Sequence, residues 1–210
     1  MKRWMIAFAL AMSGLLLGGC ATPTVKSTVT TFQEWPAELP NKIYVFERTR
    51  EQDNNLEYRS YENMVRTELN RLGFREASAS QAPVLKVTLD YDISARDVRE
   101  IYPVMVSPGW PGPYWYGPYR RGFYGPYYDP FWYGPPIVEQ RESNYVVYTR
   151  RLQVVIARAA NGRKLYVTTV VSEGSNGSLP AVMPYLVRSA FTDFPGKSGV
   201  PRQVELNMDN

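Results

Sequence analysis

Histidine is absent from this 210-residue chain, and cysteine occurs once, at Cys20. One thiol cannot build a disulfide framework within the chain. Without imidazole, Ser-His-Asp and Cys-His catalysis lack their base, and the usual zinc sites lack their nitrogen and sulfur ligands. Carboxylate-only and Ser-Lys chemistries remain open, and no cofactor or metal is expected. A dominant charge is missing too. The formal net charge is +4, and basic and acidic residues are interleaved. No stripe or run of the kind that phosphate backbones require is present, so a nucleic-acid partner is not expected.

The chain also lacks an apolar run long enough to cross a bilayer. The run from Trp4 to Leu17 is interrupted by Ser13 and falls short of the about 20 residues that spanning needs. Lys2 and Arg3 precede it and Leu17-Gly18-Gly19-Cys20 follows, which is the order of a cleavable secretory leader ending in a bacterial lipobox. The chemistry expected there is specific: the Cys20 thiol takes a diacylglycerol, the leader is cut before it, and the new amino terminus is acylated in turn. Several buried chains at about 0.8 kcal/mol per CH₂ make a firm anchor. Ala21 stands where an aspartate would resemble an inner-membrane retention signal, which favours the outer membrane with the protein facing the periplasm. Residues 1–19 are thus expected to be a leader, 20–27 a lipidated tether, and 28–208 a single domain. Removal of Lys2 and Arg3 leaves 22 basic residues against 20 acidic ones, so the mature chain is close to neutral.

Periodicity predicts the elements. Val25 to Phe32 alternates as a strand does, and Lys42 to Phe46 is β-branched and aromatic. From about Asn55 to Leu72, Tyr58, Tyr61, Val65, Leu69 and Leu72 recur at three and four, the stripe of an amphipathic helix. Asn54 with Glu57 resembles a capping box, and Gly73 suits the left-handed residue that closes a helix. Val84 to Ile93 alternates between Leu85, Val87, Leu89 and Tyr91 on one face and Lys86, Thr88, Asp90 and Asp92 on the other. Two β-rich runs, 144–158 and 164–172, flank Asn161-Gly162, a strong hairpin signal. A second helix is expected from about Pro180 to Phe191, burying Val182, Leu186 and Ala190, and Val204, Leu206 and Met208 suggest a short edge strand. The expected fold class is α+β, an antiparallel or mixed sheet of five to six strands with two helices on one face.

Three separated blocks carry a family resemblance. They are Leu69-Asn70-Arg71-Leu72-Gly73-Phe74 followed by Ala82-Pro83-Val84-Leu85-Lys86-Val87, the hairpin Tyr148 to Val171 around Asn161-Gly162-Arg163-Lys164, and the final helix ending at Phe194-Pro195. Together with the lipobox, they make the chain resemble the bacterial lipoproteins grouped as domain of unknown function 4136. Two stretches depart from that pattern: Ile43-Tyr44-Val45-Phe46 replaces a more usual Thr-Tyr-Ala-Trp, and Pro83 stands at an acidic position. The resemblance spans most of the mature chain, its motifs belong to the fold, and it implies no reaction.

Residues 103–136 differ from everything else, with nine prolines, six glycines and twelve aromatics. No helix or regular strand is expected to persist there. Tyr114, Trp115, Tyr116, Tyr127, Tyr128 and Trp132 offer apolar area with polar handles, as interfaces and membrane belts do, and Arg120 and Arg121 could meet phosphates or carboxylates. The same composition also fits a low-complexity loop without a ligand.

Catalytic candidates are sparse. Asp90 and Asp92 share a strand face and Asp97 follows, yet Lys86 and Thr88 continue that face as on any solvated strand. Glu57, Glu62 and Glu68 read as outer-face helix charges, and Ser143, Ser172, Ser175 and Ser178 lie in no nucleophile motif. The role expected is a noncatalytic envelope lipoprotein that binds or supports an envelope protein or glycan. A cell-wall or glycan-binding module using the aromatic loop is the alternative, and a carboxylate-dependent hydrolase ranks last.

Overall fold

The computed structural model describes residues 23–39, 41–106 and 137–208. Cys20, the leader and the aromatic residues from Tyr114 to Trp132 lie outside them. Seven strands and three helices follow one another as β1 (Thr24–Gln33), β2 (Ile43–Phe46), α1 (Arg50–Asp53), α2 (Leu56–Arg71), β3 (Arg75–Glu76), β4 (Leu85–Val106), β5 (Ile137–Arg158), β6 (Lys164–Gly174), α3 (Leu179–Phe191) and β7 (Arg202–Asn207). The contacts divide the chain into two compact units, one of Met1–Ala95 with Val147–Asn210 and one of Arg96–Val146.

One mixed sheet holds all the strands, in the order β3-β2-β4-β5-β6-β1-β7. β2 runs parallel to β3 and to β4, whereas β1 is antiparallel to β6 and β7, and β5 is antiparallel to β6. Parallel neighbours cannot be joined by a tight turn, and α1 with α2 supplies the crossover from β2 to β3. Alternation sorts the two faces. Val25, Val29, Tyr44, Phe46, Leu85, Val87, Leu89, Leu152, Val154, Ile156 and Val170 turn inward and are buried. Their neighbours Lys26, Thr28, Lys86, Thr88, Gln153 and Thr169 remain exposed or half-buried on the other face.

The helices cover the inward face. α2 contributes Tyr58, Tyr61, Val65 and Leu69 as one buried stripe, and each apolar side chain fully withdrawn from water stabilises by about 1.5–3 kcal/mol. α3 is buried on most sides, with nine residues withdrawn from solvent, because it packs on the sheet and on α2 together. Polar pairs fix its seat. Ser27 Oγ donates to Ser189 Oγ at 3.0 Å, and the Tyr166 hydroxyl donates to the Ala190 carbonyl at 2.9 Å.

Several expectations are corrected. The sheet has seven strands and the described residues three helices, against the five to six and two expected. The additions are the smallest elements: β3, with two residues, shows no alternation, and α1, with four, shows no helical period. Helix α2 is capped by Asn55, whose Oδ1 accepts from the Glu57 and Tyr58 amides at 2.9 and 3.1 Å, rather than by Asn54. The reciprocal capping box lies one helix earlier, between Thr49 and Gln52. β1 starts at Thr24, one residue before the strand expected from Val25, so the sheet begins inside residues 20–27, the stretch assigned to the tether. β4 continues through Pro103 to Val106, beyond the expected start of the loop. Gly73 does adopt φ +82°, and Gly162 φ +69°, closing α2 and the β5–β6 hairpin as the sequence requires.

Leu152→Ala is expected to cost about 2–5 kcal/mol, because its side chain is wholly enclosed at the centre of the sheet. Met105→Ala, at 76% exposure, should stay within about 0.5 kcal/mol. Urea midpoints of the two variants against the parent check both.

Candidate functional site

Glu62 is the one fully buried carboxylate among the described residues, at 2% exposure. It follows Tyr58 by four residues and precedes Val65 by three, so the helical period carries it inward with the apolar stripe. Arg48, just after β2, meets it with two nitrogens, Nε 2.5 Å from Oε2 and Nη2 2.7 Å from Oε1. Arg66, one turn along α2, donates to Oε1 at 2.8 Å and to Glu76 of β3 at 2.7 Å. Arg48 also reaches Asp53 of α1 at 3.2 Å. The hydrogen bond to Glu62 raises the Arg48 pKa still further above neutrality and keeps the cation charged. The network thereby ties β2, α1, α2 and β3 together. Both oxygens of Glu62 are engaged, Oε1 twice, which suits a structural clasp and not a base waiting for a substrate proton.

Tyrosines surround this clasp. The Tyr44 and Tyr58 hydroxyls are buried without a hydrogen-bond partner among the described residues. Burial, with the charge of Glu76 beside it, pushes the Tyr44 pKa up to about 12. Burial also raises Tyr58, Tyr61 and Tyr91, and Tyr61 donates to Glu57 at 2.6 Å.

A second buried charge, Arg150, sits on the inward face of β5 at 4% exposure. It donates to the carbonyls of Ser172 and Asn176 at 3.4 and 3.0 Å, and Ser172 Oγ lies 3.5 Å from its Nη2. Desolvation lowers its pKa. Its work is to hold the β6–α3 connection against the sheet.

The face opposite the helices offers the open surface. A concavity of about 560 Å³ lies over β1, β6 and β7, lined by Lys26, Thr28, Val171, Glu173, Gln203 and Glu205. Another of about 300 Å³ lies beside Arg48, Gln52, Thr88, Asp90, Gln153 and Val155. Charged side chains line both beside hydroxyls, amides and short aliphatic groups: Lys26, Glu173 and Glu205 in the first, and Glu47, Arg48 and Asp90 in the second. Lys26 pairs with Glu205 at 3.4 Å there, and Arg151 pairs with Asp90 at 3.1 Å.

The family model for a domain of unknown function, DUF4136, matches residues 28–196. The chain belongs to the DUF4136 family. That match runs from within β1 through the end of α3 and takes in the Glu62 clasp and the concavity beside Arg48, whereas Lys26, Gln203 and Glu205 of the other concavity lie outside it. Among solved structures, a PDZ domain protein from Parabacteroides distasonis is similar at 14% identity and a TM-score of 0.47, over 96% of this chain and 42% of that one. This chain therefore spans less than half the length of that protein. The PelC dodecamer from Paraburkholderia phytofirmans is similar at 14% identity and a TM-score of 0.40, over 79% of this chain and 95% of that one. No curated protein matches the chain.

The residues singled out from the sequence fare unequally in this DUF4136 domain. Cys20, Tyr114, Trp115, Tyr116, Arg120, Arg121, Tyr127, Tyr128 and Trp132 lie outside the described residues. Asp90 is paired with Arg151 on the exposed face, and Asp92 and Asp97 are exposed as well. Among the described residues no three His, Cys, Asp or Glu side chains gather to hold a metal ion. Ser172 is buried and donates to the Lys26 carbonyl at 2.7 Å. Glu62 is the correction: expected on the outer face of its helix, it lies inside. The spacing from Tyr58 to Glu62 to Val65 to Leu69 carried that signal, and Arg48 and Arg66 were the cations it needed.

Glu62→Gln should cost about 1–3 kcal/mol, since it weakens the charge-assisted hydrogen bonds from two half-buried guanidinium groups that keep Asp53 and Glu76 as their other partners. Asp90→Asn removes an exposed pair and should cost under about 1 kcal/mol. Chemical denaturation at neutral pH measures the contrast.

The Tyr44 pKa is raised on folding, so its contribution is complete below about pH 10 and is lost as pH rises towards 12, at about 1.4 kcal/mol per pH unit. Stability measured across that range should fall in this way, and Tyr44→Phe should flatten part of the decline. At neutral pH the same variant should stay within about 1 kcal/mol of the parent, because the hydroxyl lost has no partner.

Proposed function

We propose that this DUF4136 chain is a noncatalytic lipoprotein of the outer membrane, anchored through acylated Cys20 and directing its α+β domain into the periplasm. There it serves as a binding or structural accessory to another envelope component. The observation that carries the reading is the order Lys2-Arg3, a short apolar run, then Leu17-Gly18-Gly19-Cys20, with Thr24 already opening β1. The commitment of Glu62 to two arginines supports the noncatalytic part, and the open sheet face offers a surface for a partner. Metabolic labelling with an alkynyl fatty acid is expected to tag the wild type, and mass spectrometry to find Cys20 as the acylated first residue. An unlabelled wild-type chain overturns the anchor.

A second reading rests on the twelve aromatics of residues 103–136, which could stack on sugar rings of the cell wall. It requires that the chain co-sediment with purified cell wall and that deletion of residues 103–136 abolish this. Unchanged sedimentation after the deletion, or none in the intact chain, leaves the accessory reading alone.

A further inference from the structure

The unit Arg96–Val146 contains two arms, residues 96–106 of β4 and 137–146 of β5. Six of the ten large apolar side chains exposed among the described residues lie in these short arms: Ile101, Tyr102, Met105, Val138, Tyr145 and Val146. Their polarity changes along the arms. Arg96, Asp97, Arg99 and Glu100 come first on β4, and 101–106 carry no charge. On β5 the uncharged 137–138 lead into Glu139, Arg141 and Glu142. Arg99 and Glu142 pair between the two arms, which marks a charged belt behind an apolar end.

We infer that the apolar end, Ile101, Tyr102, Met105 and Val138, docks on a lipid surface at the depth of the headgroups, with the charged belt left in water. Three features select lipid over a protein groove or a second copy of the chain. Ile101 and Tyr102 are adjacent and both exposed, so they point to opposite faces of the strand. A protein groove covers one face of a ribbon, whereas lipid surrounds it. At the outer ends of both arms, 101–106 and 137–138, the charges stop at one level along the strand, as at an interface between two media, and not by face. Tyr145 and Val146 lie behind the belt and take no part. Tyr102, at 43% exposure, is of the type that settles at membrane–water boundaries. Depth is limited by the backbone, because strand edges carry N–H and C=O groups that hydrocarbon cannot satisfy. The belt holds three basic and four acidic residues, so attraction to anionic lipid contributes little and zwitterionic bilayers suffice.

The proposal gains from the anchor at Cys20, which would hold the arms near a bilayer, but its test does not use the anchor. The full mature chain carrying Cys20→Ala is mixed with phosphatidylcholine–phosphatidylethanolamine vesicles and floated at low and high salt. Flotation should occur at both, and Ile101→Glu with Met105→Glu should lower the bound fraction by about tenfold or more. Leu56→Glu, which alters an equally exposed side chain in the other unit, should leave it unchanged. Circular dichroism melting should be the same for all three chains, and Met105→Ser, a milder change, should give an intermediate loss. Absence of flotation, flotation insensitive to the glutamates, or flotation that high salt abolishes overturns the proposal. So does sedimentation velocity showing that Met105→Glu dissolves an oligomer while vesicle binding stays absent. Failure here leaves fatty-acid labelling of Cys20 untouched, and loss of that labelling leaves this result untouched.

Discussion

A sheet that buries one face and leaves the other to water sets the terms for the rest of this domain. Withdrawal of Val29, Leu85, Leu152, Val154, Ile156 and Val170 from solvent is possible only if helices cover that side. α2 does so with a single stripe, whereas α3, packed against both α2 and the sheet, must be apolar nearly all round. Pro184 is accommodated inside α3, where surrounding packing compensates for the missing amide. The serine and threonine hydroxyls of the core are paired, as with Ser27 and Ser189 or Thr31 and Thr168, because an unmatched polar group there costs about 1–3 kcal/mol. The Tyr44 and Tyr58 hydroxyls are the exceptions among the described residues.

The Glu62 clasp solves a problem created by that design. β2 and β3 are short, and β3 joins the sheet through two residues at its edge. Arg48 and Arg66 bridge from the loop after β2 and from α2 to a common carboxylate, and Arg66 goes on to Glu76 of β3 itself. A buried ion network is weak evidence for net stability, but it penalises any arrangement that separates its members. It therefore specifies where a small edge strand belongs, and the Arg66 guanidinium over the Phe46 ring at 5.4 Å ties the same corner to the core.

Legibility in the sequence followed element length and the strength of the period. β1, α2, β6 and α3 each contain enough turns or alternations to be read, and their observed bounds fall within a few residues of the expected ones. β3 and α1 are held by hydrogen bonds to neighbours and have no pattern of their own. The outer parts of β4 and β5 were obscured by Pro103 and by the uncharged sequence beside it, although a proline is tolerated on an edge. Glu62 was missed for a different reason. A carboxylate is assigned to water by type, and only the simultaneous presence of two arginines makes its inward position affordable. The lipobox reading at Cys20 rests on a linear signal that needs no fold, and Cys20 lies outside the described residues.

The start of β1 at Thr24 bears on how the domain would stand on a membrane. Three residues separate Cys20 from Thr24, and the four steps between them span at most about 14 Å. An acylated Cys20 would therefore act less as a leash than as a short mooring line. Since β1 is flanked by β6 and β7 through the register at Thr28 and Val29, strain on that line passes directly into the sheet. The domain could not lift away from the bilayer by more than that length, and the end of the sheet where β1 begins would stay close to the lipid.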